Sequence, residues 1–135
     1  RHHKLYTTDG HLWQGRFKAF PIEADEHLLA VLRYVERNPV RSKLIPVTNA
    51  SLWPWSSCSL LADGIRRPSL TPLPFPRSDN WLERVNTPLT NTELLAVRQS
   101  VDRGRPFGSE LWVHETAKQL GLESTLRSRG RPKSH

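Results

Sequence analysis

Apolar positions recur at helical spacing along three stretches of the chain and at an approximate strand spacing along one. The clearest helical pattern runs from Asp25 to Asn38. Leu28, Leu32 and Val35 follow the i, i+4, i+7 spacing of a buried stripe, and Val31 widens it. Asp25 and Glu26 fall in the first turn, where the helix dipole favours negative charge. Pro39 predicts a sharp stop, because proline has no N–H to donate and biases Asn38 away from the α region. Residues 11 to 22 predict a strand: Leu12, Gln14, Arg16 and Lys18 alternate imperfectly with Trp13, Phe17 and Phe20. Gly15 is a site for a bulge, and Pro21 ends the run.

The remaining pattern is helical or irregular. Residues 40 to 47 predict a helical turn followed by a strand, and a serine caps a short helix over Ser57 to Ala62. Trp53 and Trp55 read first as packing residues, with base stacking as the alternative. Residues 63 to 89 hold Pro68, Pro72, Pro74, Pro76 and Pro88 with little periodicity and read as a linker, from which Trp81-Leu82 docks onto an apolar surface. Thr90-Asn91-Thr92-Glu93 fits a capping box that opens a helix through Leu94, Val97 and Val101 and closes at Gly104. Ser109 starts a further helix through Val113, Ala117 and Leu120, ended by Gly121. This helical pair, joined by Arg103-Gly104-Arg105-Pro106-Phe107-Gly108, fits either a helix-turn-helix DNA reader or an ordinary helical hairpin.

Candidate chemistry sits on the first helix. A rotation of about 100° per residue brings His27, Tyr34 and Asn38 within about 40° of one another, beside the apolar stripe. A tyrosine and an amide one turn apart can share a cleft. Equally, the ring can pack while its hydroxyl finds a partner, with Asn38 capping the helix end. At the other end of the chain, Arg129-Gly130-Arg131-Pro132 matches the core of an AT-hook, whose extended Arg-Gly-Arg fits a narrow minor groove; a solvated basic tail is the alternative.

Composition narrows the partners. With 135 residues the chain suits one domain, or one small domain and a tail, and a formal net charge of +7 favours a polyanion, nucleic acid first. The single cysteine, Cys58, excludes an internal disulfide framework and a cysteine-based metal cluster, and fits a reducing cytoplasm. No apolar run approaches the roughly 18 residues of a membrane span, so no membrane partner is expected. The chain has no methionine and begins at Arg1, which predicts that residues precede it in the natural product.

The ordered motifs resemble one family. His11-Leu12-Trp13-Gln14-Gly15-Arg16-Phe17-Lys18-Ala19-Phe20-Pro21, Leu32-Arg33-Tyr34-Val35-Glu36-Arg37-Asn38-Pro39-Val40-Arg41, Trp53-Pro54-Trp55-Ser56-Ser57, Arg103 to Gly108 and Leu120 to Pro132 together resemble the REP-associated tyrosine transposases. These are single-tyrosine HUH transposases of bacterial insertion sequences. The resemblance implies an α+β fold: part of a ferredoxin-like catalytic domain over 1–62, the proline-rich linker 63–89, a helical pair over 90–123, and a disordered basic tail over 124–135. It implies a transposase that cleaves single-stranded DNA at REP-type hairpins through a 5′-phosphotyrosine.

In that comparison Tyr34 is the nucleophile and Asn38 a ligand of a divalent cation, magnesium or manganese. Arg33, Arg37 and Arg41 are candidate DNA contacts, and Arg16 and Lys18 face outward to touch phosphate or merely to keep the surface soluble. Arg129 and Arg131 of the AT-hook-like tail are further DNA contacts, and the partner set includes a homodimer. The family's paired His-hydrophobic-His motif is missing: His2 and His3 are adjacent, and His11, His27, His114 and His135 are isolated. Adjacent residues of a strand point to opposite faces and cannot chelate one ion together. This chain alone is therefore expected to be inactive. The reading from another class is a DNA-binding module without catalysis.

Overall fold

A computed structural model describes residues 17–45, 48–61, 70–128 and 130. Its elements in chain order are α1 (Glu26–Glu36), α2 (Asn38–Arg41), 3₁₀ turns at Ala50–Leu52 and Ser57–Leu61, α3 (Trp81–Asn86), α4 (Asn91–Arg103), α5 (Glu110–Leu120) and a closing 3₁₀ turn at Glu123–Leu126. Among the described residues there is no sheet, and the only strand-like pairing is one parallel bridge between Ile22 and Phe107. This corrects the expected α+β, ferredoxin-like fragment: the described part is helical.

The physical reason lies in what a strand needs. A strand is held by the N–H and C=O groups of a neighbour, and residues 17–20 have none among the described residues. Phe17 is accordingly 89% exposed. Residues 11–16 of the expected strand lie outside the described residues.

Helix α1 forms for the local reasons the sequence supplies. The Asp25 carboxylate accepts the His27 N–H at 2.8 Å, and Glu26 follows in the first turn. Its buried residues are Leu29, Val31 and Glu36, with Leu32 packed against the core, so Val31 and Leu32 of the expected stripe face inward while Leu29 and Glu36 join them in place of Val35. Val35 is left 58% exposed. The core that fixes this rotation comprises Leu29, Ala50, Cys58, Trp81 and Val85, with Leu32, Val40, Phe75 and Leu82 packed against it.

Pro39 does not end helical structure. Arg37 closes α1 in right-handed helical conformation, and α2 begins at the next residue with Pro39 in its first turn. There the missing N–H is one that a helix start leaves unpaired in any case. The ends of α4 and α5 follow the sequence closely. Thr90 and Glu93 form both halves of a capping box, and Gly104 and Gly121 take positive φ values of 68° and 67° at the two C-termini.

The proline-rich stretch contains an element of its own. Within it α3 places Trp81 and Val85 at 2% and 0% exposure in the core. Helix α1 packs against both α3 and α4. The segment before α1 is pinned to the α4–α5 connection by Phe107 N–H to Pro21 O and Glu23 N–H to Phe107 O, both 2.9 Å. No helix among the described residues is long and apolar enough to cross a membrane.

Candidate functional site

Tyr34, Asn38 and Arg41 meet where α1 passes into α2. Tyr34 is half-buried and stands outside the core cluster, while Asn38 and Arg41 are exposed. The Arg41 guanidinium lies over the Tyr34 ring, 5.5 Å from its centroid, and its Nη2 donates to Asn38 Oδ1 at 2.6 Å. Ser42 Oγ donates to the same oxygen at 3.3 Å. The tyrosine and the amide thus share one corner, bridged by a cation that stacks on one and bonds the other. His27, two turns upstream, does not join them. Its Nδ1 lies 2.8 Å from Asp25 Oδ1, and its ring meets the Phe107 ring edge-on at 5.2 Å.

The three arginines around Tyr34 have different tasks. Arg33 Nε and Nη2 donate to the carbonyls of Arg84 and Thr87 at 3.1 and 3.3 Å, and Nη1 pairs with Glu93 at 3.6 Å. Arg37 Nη1 donates to the carbonyls of Val85, at 3.2 Å, and Asn86. These carbonyls belong to the end of α3 or just beyond it, where a helix leaves acceptors without partners. Two cations there also suit the negative end of the dipole. Burial, and then the Arg33 charge, pull the Arg37 guanidinium below its ordinary value. Lys18 is exposed. Arg16, Arg129 and Arg131 lie outside the described residues.

The most connected side chain is one that the sequence reading passed over. Glu36, 2% exposed, ends α1 inside the core. Its Oε1 accepts from Arg77 Nη2 at 2.7 Å and from Ser57 Oγ, and its Oε2 from Trp81 Nε1 at 2.7 Å and Cys58 Sγ at 3.1 Å. A buried carboxylate survives only when so many donors compensate its lost hydration. A signal was present: Leu29, Leu32 and Glu36 keep i, i+3, i+7 register, so an acid continues an apolar stripe. Burial, then the hydrogen bond to Glu36 and its charge, push the Cys58 thiol up to about 12. It stays protonated and is no nucleophile at neutral pH.

Two places bear on a metal. Asn38 Oδ1 is an exposed oxygen of the hard kind that a divalent ion takes, but Arg41 and Ser42 already donate to it. Glu23, Asp25 and His27 bring ligand atoms within 4.8 Å of one another. Both carboxylates have other work. Asp25 caps α1, and Glu23 accepts the Ser109 N–H at 2.6 Å, capping α5 in place of Ser109's own hydroxyl.

No protein-family model, curated protein or solved structure matches the chain.

Proposed function

We propose that this chain carries the nucleophile of a single-tyrosine DNA transposase acting on single-stranded DNA at REP-type hairpins. The supporting observation is the convergence of Tyr34, Asn38 and Arg41 at an exposed corner outside the core. The Tyr34 phenolic oxygen attacks a backbone phosphorus as its proton leaves. The bond to the 3′-oxygen breaks, and that oxygen takes up a proton as a free 3′-hydroxyl. The 5′-phosphate remains on the tyrosine, so strand transfer proceeds by two reversible exchanges that conserve the bond energy. Asn38 would hold in part a divalent cation, magnesium or manganese, which would supply polarisation of the scissile phosphate. Arg41 and Lys18, with Arg16, Arg129 and Arg131, serve as DNA contacts, whereas Arg33 and Arg37 serve the fold. The setting that suits this reaction is the bacterial cytoplasm, where DNA is at hand and Cys58 stays reduced.

The chain by itself, lacking paired histidines, is expected to give no covalent product. Joined to a strand bearing a His-hydrophobic-His motif, it is expected to shift labelled single-stranded hairpin DNA to protein size on a denaturing gel in magnesium buffer. An adduct on the isolated chain, or none on the joined protein, counts against the proposal. Two observations favour the alternative of a DNA-binding module without catalysis. Asn38 Oδ1 is already taken by Arg41 and Ser42, and the described residues contain no sheet to carry paired histidines. The same gel separates the two readings, since the module shifts DNA only under native conditions.

A further inference from the structure

Arg33, Arg37 and Arg41 follow one another at four-residue intervals, yet only Arg41 keeps its guanidinium at the surface without a backbone carbonyl partner among the bonds that hold it. Its position is set by two contacts, the Tyr34 ring at 5.5 Å and Asn38 Oδ1 at 2.6 Å, neither of which is a charged partner. We propose that Arg41 receives the phosphodiester at Tyr34, and that Asn38 is the positioning residue that keeps the guanidinium there until the phosphate takes it over. This rests on the reading of Tyr34 as the nucleophile, and it names the substrate group met beside it.

The exchange follows from the chemistry of the three groups. A guanidinium presents five donors in a planar fork that matches two phosphate oxygens at once, and such charge-assisted pairs are stronger than a bond to a neutral amide. Arg41 is exposed, so it moves between the two without opening the core. Asn38 Oδ1 keeps the Ser42 hydroxyl at 3.3 Å after Arg41 leaves, so the handover does not strand its acceptor. Cation–π contact with the Tyr34 ring places the fork beside the phenol before DNA arrives.

The test uses the 135-residue chain and a fluorescein-labelled single-stranded oligonucleotide, titrated over a salt series by anisotropy. Arg41→Ala is expected to weaken binding and to lower the slope of log affinity against log salt by about 0.7, the value for one lost single-strand phosphate contact. Asn38→Asp, which sets a carboxylate against the guanidinium, is expected to lower the slope in the same direction with the thermal midpoint unchanged. In the unaltered chain the Asn38 side-chain amide resonances are expected to shift as oligonucleotide is added. No salt-dependent binding by the unaltered chain, an unchanged slope in Arg41→Ala, or Asn38 resonances that stay put at saturation would each overturn the proposal. Failure of the nucleophile reading looks different: the joined protein with Tyr34→Phe still forms a covalent adduct, whatever the slopes.

Discussion

A single carboxylate decides how α1 is seated. Glu36 gathers Ser57, Cys58, Arg77 and Trp81 from segments 21 to 45 residues away, so its bonds tie the end of α1 to the 3₁₀ turn at Ser57–Leu61, to α3 and to the segment before it. It also accounts for the rotation of the helix: turning Glu36 inward leaves Val35 in solvent and carries Tyr34 to the edge of the packed face. Glu36→Gln keeps the volume and removes the charge, leaving Arg77 without its counter-ion. Breaking a buried pair in this way is expected to cost about 3–5 kcal/mol, read as a lower urea midpoint with the slope retained. That is a large share of the roughly 5–15 kcal/mol that holds a domain together. A midpoint within error of the unaltered protein would show that Glu36 is not the tie described. The sequence alone marked Tyr34 and Asn38 as neighbours, because helix periodicity is local, but it grouped His27 with them, whose ring instead turns to Asp25 and Phe107. It did not separate Arg41 from Arg33 and Arg37, because the carbonyls that occupy those two lie about 50 residues away, at the end of α3.

At the scale of elements, legibility follows the range of the forces. The capping box at Thr90 and Glu93 and the glycines at 104 and 121 were readable because each acts within one turn. Helix α3 was not, since its six residues are held by the core around Trp81 and Val85 and not by propensity. The strand expected over residues 11 to 22 is absent from its described part, residues 17 to 22, apart from the single bridge at Ile22, for the opposite reason: an alternating pattern is satisfied only if a partner strand lies alongside.

The capping box carries a pH dependence. The Thr90 backbone N–H is the main cause holding the Glu93 carboxyl below its ordinary 4.5, aided by the Thr90 hydroxyl and Arg33. A carboxyl depressed in the folded state stabilises it above the unfolded value, and that contribution is lost as pH falls through the folded value. The thermal midpoint is therefore expected to drop as pH falls from the ordinary carboxyl range through the lowered folded value, and to drop less in Glu93→Gln. An identical acid profile in the two proteins would contradict this role. The α4–α5 connection is sensitive in another way. A Cβ at Gly108 would lie 2.5 Å from Trp112 Cε3 and 2.8 Å from Glu23 Cβ. Gly108→Ala is expected to cost about 1–3 kcal/mol in chemical denaturation. A neutral result would mean that the junction between α5 and the segment before α1 is loose.

At the scale of the molecule, the helical core tied by Glu36 leaves, among the described residues, a polar corner at the α1–α2 junction, where the phenol, the amide and the surface arginine meet. Under the proposed function the chain's formal net charge of +7 favours DNA as the partner of that corner, and Arg33 and Arg37 strengthen the scaffold beneath it. The central claim is that the Tyr34 oxygen forms a bond to DNA phosphorus. It is tested most directly by joining the chain to a His-hydrophobic-His strand, incubating with single-stranded hairpin DNA and magnesium, and sequencing the nucleotide-bearing peptide by mass spectrometry. The expected result is a phosphonucleotide on Tyr34, absent from Tyr34→Phe. A modification on another residue, or an adduct that survives Tyr34→Phe, would contradict it.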